Sequence, residues 1–345
     1  MRFPPSSPAV VVRRGAGIEA WHSASIAVVD ASGTLQWELG DPELVVMARS
    51  SIKPCQTLPL LLSGAADSLG LSQEEITVAC ASHSGTDEHV RVVRGLLTKA
   101  HAAVEDLQCG AHWPLGLQHA GVFPKWGEET DRLRSNCSGK HAGFLALGRH
   151  LGADPRSYLD PAGPVQQAVA RAVADACEVD VGSLLLGIDG CGAPNFALPL
   201  VALARGMKNV GNPGCAPPSL QASLARIRDG MWAHPELISG HGRLDHELML
   251  AFPGNVVCKS GAEGLQLVAF RDPPLGFAIK IHDGNARALA PLCVAILAQL
   301  DVWRPVPGAR LSEHVQPMLY NHGNTIVGHL EVAMTLVPSA RVARA

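Results

Sequence analysis

The stretch Ser50-Ser51-Ile52-Lys53 lies where a strand-rich beginning of the chain gives way to a helical middle. On a helix, a serine three positions before a lysine shares a face with it, and the two Cβ atoms lie about 5–6 Å apart. The leucines at 58 and 60–62 place Lys53 near the buried start of a helix, where desolvation lowers the pKa of an amine. Because a neutral lysine can take the proton of a serine, the stretch predicts a nucleophile and its base. It also fits an ordinary helix start with a solvated lysine.

Strands are predicted on both sides of this stretch. The segments 9–12, 25–29 and 34–39 are rich in apolar residues, and a turn at 30–33 joins the last two as an antiparallel hairpin. Helical spacing of apolar residues follows, and strands then return. The predicted helices are 56–63, 73–79, 88–103, 141–151, 164–177, 218–233 and 286–300, and the later strands are 256–259, 265–270 and 276–281.

A β-rich beginning and a β-rich end around a helical middle predict one sheet built from both ends of the chain. We expect an α/β (α+β) fold in a single domain over residues 1–345. Its antiparallel sheet comes from about 9–46 and 255–330, and it packs with a helical region over about 50–250. Serine β-lactamases, penicillin-binding proteins and serine-dependent glutaminases have this arrangement.

Two further motifs bear on that comparison. Lys259-Ser260-Gly261 follows a predicted strand and matches the K-T/S-G element of the serine β-lactamases. Ser82 is the candidate for their middle serine. His83 and Ser84 stand where those enzymes have Asp and Asn, which argues against a true β-lactamase.

Composition excludes several classes of partner. A chain of 345 residues, 47% hydrophobic and 17% charged, can bury a substantial core. Its net charge is −3 and no long basic run occurs, so we expect a small-molecule substrate and neither nucleic acid nor an anionic membrane as partner. The first residues have no apolar core of signal-peptide length, and Asp189 interrupts the longest apolar stretch. We therefore expect no transmembrane segment and a cytoplasmic location.

Two glycine-rich stretches, 136–141 and 187–194, predict sharp turns and close approach of backbones. Each contains a cysteine, Cys137 in the first and Cys191 in the second. Two thiolates and a nitrogen donor could hold zinc in a tetrahedral site with an open fourth position. The two cysteines are far apart in the chain, and a pair of core cysteines explains them at least as well.

Five blocks of sequence stand in the order of a known family. They are Arg49-Ser50-Ser51-Ile52-Lys53-Pro54, Ala81-Ser82-His83-Ser84-Gly85, Asn136-Cys137-Ser138-Gly139-Lys140-His141-Ala142-Gly143, Gly187-Ile188-Asp189-Gly190-Cys191-Gly192 and Lys259-Ser260-Gly261-Ala262-Glu263-Gly264. Together they resemble the rhizobial-type L-asparaginase II family over nearly the whole chain. The resemblance implies a β-lactamase-like and glutaminase-like fold, a homodimer, and hydrolysis of L-asparagine to L-aspartate and ammonia.

The resemblance also implies roles for particular residues. Ser50 and Lys53 correspond to the family's first serine-lysine pair, and Ser82 and Lys259 to its second. A zinc ion held by two cysteines and a lysine would here be bound by Cys137, Lys140 and Cys191, with Asp189 touching a metal-bound water. Whether catalysis needs the metal is left open.

The mechanism expected from these residues is an acyl-enzyme route. Ser50 attacks the side-chain amide carbon while Lys53 accepts its proton, and water then releases aspartate. Ser82 with Lys259 relays a proton to the leaving nitrogen. In the competing assignment Ser82 is the nucleophile, and the sequence does not choose between them.

The substrate also carries an α-carboxylate and an α-ammonium, which need opposite charges in a partly dry pocket. Arg49 is the candidate for the carboxylate, Asp189 or Glu263 for the ammonium, and His141 for a further bond to substrate. Each has a structural explanation as well: an ion pair for Arg49, a turn cap for Glu263, and capping or packing for His141.

Three other functions fit parts of the sequence. A glutaminase acts on a substrate one methylene longer, a difference that a pocket discriminates by only about 1–3 kcal/mol. A β-lactam-interacting serine acyl hydrolase would share the two serine-lysine motifs. A non-catalytic zinc-binding protein would release no ammonia from asparagine.

Overall fold

The computed structural model describes residues 7–125, 128, 130–302 and 309–339. These residues form twelve strands: β1 (Pro8–Arg14), β2 (Gly17–Asp30), β3 (Leu35–Leu39), β4 (Val45–Met47), β5 (Leu185–Ile188), β6 (Pro194–Pro199), β7 (Val256–Gly261), β8 (Leu265–Phe270), β9 (Leu275–Ile281), β10 (Met318–Tyr320), β11 (Ile326–Val332) and β12 (Val337–Pro338). They also form twelve α-helices: α1 (Lys53–Leu62), α2 (Ala65–Ser68), α3 (Gln73–Ala79), α4 (Asp87–Lys99), α5 (Leu115–His119), α6 (Ser138–Leu151), α7 (Pro164–Cys177), α8 (Leu200–Gly211), α9 (Pro218–Ala233), α10 (Pro235–Ile238), α11 (Leu244–Ala251) and α12 (Leu289–Gln299). None of the described helices is both long and apolar enough to cross a lipid bilayer.

The described residues fall into two compact units. The sheet unit contains the residues up to Ser51, the segment Leu198–Asn212 and the residues from Glu247 onward. The helical unit contains Ile52–Ala197 and Pro213–His246. The single domain over residues 1–345 stays a prediction.

In the sheet unit, strands from both ends of the chain share one sheet. Seven of them run in the order β10-β11-β1-β2-β9-β8-β7, while β3 also pairs with β2, and β12 with β3. All these pairings are antiparallel; for example, Ile26 of β2 lies opposite Ile279 of β9. The prediction of a mixed α/β fold with an antiparallel sheet from both ends is therefore confirmed.

One helix of the predicted helical region belongs to the sheet unit. Helix α8 packs against β2, β8 and β9, and its residues are almost all buried. Gly276 in β9 permits this approach, because a Cβ atom there would lie 2.7 Å from Cβ of Lys208. The strands β8 and β9 are consequently buried along nearly their whole length.

In the helical unit, α1 packs against α6, α7 and α9, and α3 packs against α4, α6 and α9. Helix α6 is buried from Ser138 to Gly148. Gly139 explains its close contact with α3, since a Cβ atom there would lie 2.2 Å from the carbonyl oxygen of Val78. The predicted helices exist with shifted ends: the first begins at Lys53 rather than at 56, and α4 ends at Lys99 rather than at 103.

Candidate active site

Lys53 is fully buried in the helical unit, and its amine lies among polar atoms from two loops. The Nζ atom is 2.6 Å from the carbonyl oxygen of Ala81, 3.0 Å from Oγ of Ser82, 3.3 Å from the carbonyl oxygen of Asn136 and 3.2 Å from Sγ of Cys137. A buried amine within hydrogen-bond distance of a serine hydroxyl is the arrangement that serine activation requires.

The local sequence explains why the amine is placed there. Pro54 occupies the first turn of α1, a position that proline favours, and the helix begins at Lys53. Ser50 lies before it, in the 3₁₀ turn Arg49–Ile52. Ser50 and Lys53 thus lie on one continuous helical stretch, whose first turn is 3₁₀.

Ser82 follows α3 and is fixed through its backbone. Its N–H donates to the carbonyl oxygen of Ile238 at 2.9 Å, and its own carbonyl accepts from Nη1 of Arg243 at 2.6 Å. The side chain is 4% exposed. The contact between Ser82 and Lys53 was not predicted from the sequence, which paired Ser82 with Lys259.

Two cysteines and a second lysine extend this site. Cys137 precedes α6, and Cys191 lies in the turn between β5 and β6. Their thiols are hydrogen-bonded to each other. Nζ of Lys140 lies 3.2 Å from Sγ of Cys191. The four side chains form a continuous buried row, Lys53, Cys137, Cys191, Lys140, which we call the lysine-thiol row.

The pKa values in this row shift in opposite directions. Burial lowers the pKa of Lys53, and the charge of Lys140 acts in the same direction. The hydrogen bond from Cys191 and the two lysine charges hold the pKa of Cys137 well below its ordinary value, and the same bond raises the pKa of Cys191. Burial lowers the pKa of Lys140, but the negative charges of the two cysteines and of Asp189 raise it by more, so that its pKa is raised overall.

Asp189 is half-buried beside this row, and its Oδ1 accepts from the N–H of Gly190 at 2.8 Å. His141 is fully buried on α6, next to Lys140. Both sequence candidates therefore belong to the helical unit together with the row.

A chain of hydrogen bonds fixes the protonation of His141. The N–H of Gln108 donates to Oη of Tyr158 at 2.7 Å, and Oη lies 2.7 Å from Nδ1 of His141. Burial raises the pKa of Tyr158, so the phenol keeps its proton and donates it to Nδ1. Burial also holds the pKa of His141 well below its usual value, so the ring is neutral and its proton is on Nε2. This Nε2 is sealed from solvent and has no partner among the described residues.

The remaining candidates lie in the sheet unit. The 3₁₀ turn with Ser50 lies beside the end of β7, since a Cβ atom on Gly261 would lie 3.2 Å from the backbone nitrogen of Ser51. Lys259 in β7 is fully buried, and its Nζ donates to the carbonyl oxygen of Ser260 at 2.8 Å.

Arg49 and Glu263, the candidates for binding the two substrate charges, face each other in the same unit. Nη1 of Arg49 lies 4.0 Å from Oε1 of Glu263. Their φ angles are 48° and 64°, in the left-handed region that residues other than glycine rarely adopt. Backbone strain of this kind clusters at functional sites.

Two residues of the helical unit site were missed in the sequence. Tyr158 is one of only two tyrosines in the chain, and a buried tyrosine needs a partner for its hydroxyl, which is a weak signal. Arg243 gives no local signal, because nothing in its neighbourhood connects it with Ser82.

Comparison with known proteins places the chain in a family. The model of the L-asparaginase II family matches residues 10–332, nearly the whole chain, and the chain belongs to that family. It is therefore a hydrolase that acts on an amide. No curated protein matches the sequence significantly.

Several solved structures are distantly similar. One is Mglu in its native form, with 13% identity and a TM-score of 0.38 over 81% of this chain and 65% of that one. The chain therefore spans slightly less than two thirds of the length of Mglu. Another is a tryptophan-to-aspartate mutant of the class A β-lactamase of the last common ancestor of Gram-negative bacteria, with 14% identity and a TM-score of 0.40 over 82% and 95%. A third is the octameric penicillin-binding protein homologue from Pyrococcus abyssi, with 13% identity and a TM-score of 0.30 over 81% and 73%.

Proposed function

We propose that the protein hydrolyses L-asparagine to L-aspartate and ammonia, with Lys53 as the base that activates a serine. The observation that carries the proposal is the distance of 3.0 Å between Nζ of Lys53 and Oγ of Ser82, both buried. Family membership supports an amide as the substrate. Of the two serines, the geometry favours Ser82 as the nucleophile, and Ser50 is the competing candidate.

Nζ of Lys53 donates to the carbonyl oxygens of Ala81 and Asn136, at 2.6 and 3.3 Å, and to the sulfur of Cys137 at 3.2 Å. Once the lysine has lost one proton, its lone pair can accept the hydroxyl proton of Ser82. In protonated form, the same lysine could only donate to the serine.

The reaction follows in two steps. Oγ of Ser82 forms a bond to the amide carbon while its proton moves to Nζ of Lys53, and the C–N bond breaks as that proton is delivered to the leaving nitrogen. The products of this step are an ester on Ser82 and ammonia. Water then attacks the ester with Lys53 again holding the proton, which returns to Ser82 as aspartate leaves.

The donor atoms of the lysine-thiol row fit a zinc ion bound by Cys137, Cys191 and Lys140. Thiolate sulfur and nitrogen are ligands that zinc prefers, and a tetrahedral ion keeps its sulfur and nitrogen ligands about 3.5 Å apart. Sγ of Cys191 and Nζ of Lys140 are already 3.2 Å apart. When bound, zinc would polarise a carbonyl or lower the pKa of a coordinated water.

Elemental analysis of the purified protein tests the zinc site. We expect about one zinc per chain in the wild type and a large loss in Cys137→Ser and Cys191→Ser. Cys215→Ser is the matched control, because Cys215 is exposed and lies outside the row. Equal zinc content in all four proteins would contradict the assignment. The homodimer and the cytoplasmic location stay predictions; sedimentation measures the former.

Ammonia release from asparagine and glutamine tests the function. We expect Ser82→Ala to lower kcat by a factor on the order of 10⁴ or more. Lys53→Met should lower it by about 10²–10⁴. If Ser50→Ala is the variant that abolishes activity, Ser50 is the nucleophile. No ammonia from either amide would refute the proposal, and turnover of a chromogenic β-lactam faster than asparagine would favour the acyl hydrolase.

A further inference from the structure

Arg243 is held against the backbone of the proposed nucleophile. Its Nη1 donates to the carbonyl oxygen of Ser82 at 2.6 Å and to that of Ser239 at 3.1 Å. One nitrogen of the guanidinium thus anchors the whole group beside Ser82, within the helical unit. An anchored guanidinium loses less conformational freedom when it binds a ligand than a free side chain does.

The other edge of this guanidinium is available. Nε and Nη2 make no hydrogen bond to any residue that the structure describes, and neither belongs to the buried polar atoms that solvent cannot reach. These two nitrogens form a planar fork that matches a carboxylate with two parallel hydrogen bonds. These two nitrogens are therefore not fully covered, on a guanidinium whose Nη1 contacts the Ser82 carbonyl.

Arg243 is also largely removed from water. Burial lowers its pKa, and the charge of Asp245 acts in the opposite direction. Arg49, the other candidate for the carboxylate, already faces Glu263 at 4.0 Å. A partly desolvated cation gains free energy when an anion binds beside it.

We propose that Arg243 binds the α-carboxylate of the amino-acid substrate through Nε and Nη2, and that it thereby selects amides that carry a carboxylate. This inference rests on the proposed function, because it places the substrate at Ser82. In an asparagine molecule the α-carboxylate is separated from the amide carbon by only two carbon atoms. One residue that touches the Ser82 backbone can therefore reach it.

The test compares asparagine with β-alaninamide, which is asparagine without its α-carboxylate. We expect Arg243→Gln to lower kcat/KM for asparagine, and because Nη1 of Arg243 also anchors the Ser82 carbonyl, activity on β-alaninamide should fall as well. The ratio of kcat/KM for asparagine to kcat/KM for β-alaninamide should fall by about 10- to 100-fold, because only asparagine loses the bonds to its carboxylate. Arg132→Gln is the matched control, because Nη1 of Arg132 also donates to two backbone carbonyls, those of Glu105 and Leu107.

Calorimetric binding of L-aspartate and β-alanine provides a second measurement that needs no turnover. The wild type should bind L-aspartate more tightly, and both Arg243→Gln and Arg243→Lys should reduce that preference by about 10-fold or more. The lysine variant keeps the charge if the glutamine variant does not fold. An unchanged preference in a folded variant, or no preference in the wild type, would overturn the inference. Absent ammonia release with intact aspartate preference would instead refute only the proposed hydrolysis.

Discussion

Replacing Tyr158 by phenylalanine removes one oxygen atom from the buried chain that ends at His141. The hydroxyl accepts from the N–H of Gln108 and lies against Nδ1 of His141, both at 2.7 Å. Tyr158 is 1% exposed, so the ring of the phenylalanine should pack as before. The substitution therefore isolates the two hydrogen bonds.

The magnitude follows from the groups that are left behind. A buried polar group without its partner costs about 1–3 kcal/mol. Nδ1 of His141 is buried, so leaving it without a partner should cost that amount. Gln108 is exposed, so its N–H can bind water instead. We expect Tyr158→Phe to lower the free energy of unfolding by about 1–3 kcal/mol. The proton of His141 should also be free to move from Nε2 to Nδ1.

Urea unfolding measures the first effect, and nitrogen NMR of the histidine rings measures the second. Tyr320→Phe is the control, since Tyr320 is the other tyrosine of the chain and is 61% exposed. The reasoning fails if Tyr158→Phe is no less stable than Tyr320→Phe. It also fails if His141 keeps its proton on Nε2 without the phenol.

Two further predictions concern stability. Gly139→Ala should destabilise the fold by about 2 kcal/mol, because overpacking of a tight interior costs about 1–3 kcal/mol and the new Cβ atom would lie 2.2 Å from the carbonyl oxygen of Val78. Gly190→Ala, with nothing within 4 Å of its Cβ position, should change the free energy of unfolding by less than about 0.5 kcal/mol in urea titrations. Burial lowers the pKa of His89 to about 4, so the unfolded chain binds its proton more readily, and the stability present above about pH 6.5 is lost as the pH falls toward 4. Unfolding at about pH 4.5 should show a loss of about 2–3 kcal/mol relative to neutral pH, and His89→Gln should reduce that loss; a variant with the same pH dependence as the wild type would contradict this assignment.

Much of the architecture could be predicted because periodicity is a local signal. In the strands β1, β2 and β3, apolar residues alternate with polar ones or follow each other over short segments. In the long helices, apolar residues recur every three to four positions. The pairing of the two ends into one sheet followed from where those strands stand in the chain. The place of α8 did not follow, since its sequence says that it is buried but not which surface covers it.

The start of α1 depends on a local signal, the proline at position 54. Residues three apart share a face in an α-helix and also in a 3₁₀ turn, where the period is three residues. Pro54 favours the first turn of a helix, and it sets the beginning of α1 at Lys53, after Ser50. The motif thus picked out a buried lysine, but the contact of that lysine with Ser82 could not be predicted from it.

The pKa shifts in the lysine-thiol row depend on contacts that only the tertiary structure creates. Two lysines that are buried side by side repel each other, and each charge needs compensation. The pKa shifts follow that requirement: the pKa of Lys140 is raised and that of Cys137 is lowered, whereas that of Cys191 is raised and that of Lys53 is lowered. Lys140 and the two cysteines come from segments far from Lys53 in the chain, so no motif around Ser50-Ser51-Ile52-Lys53 could have predicted these shifts.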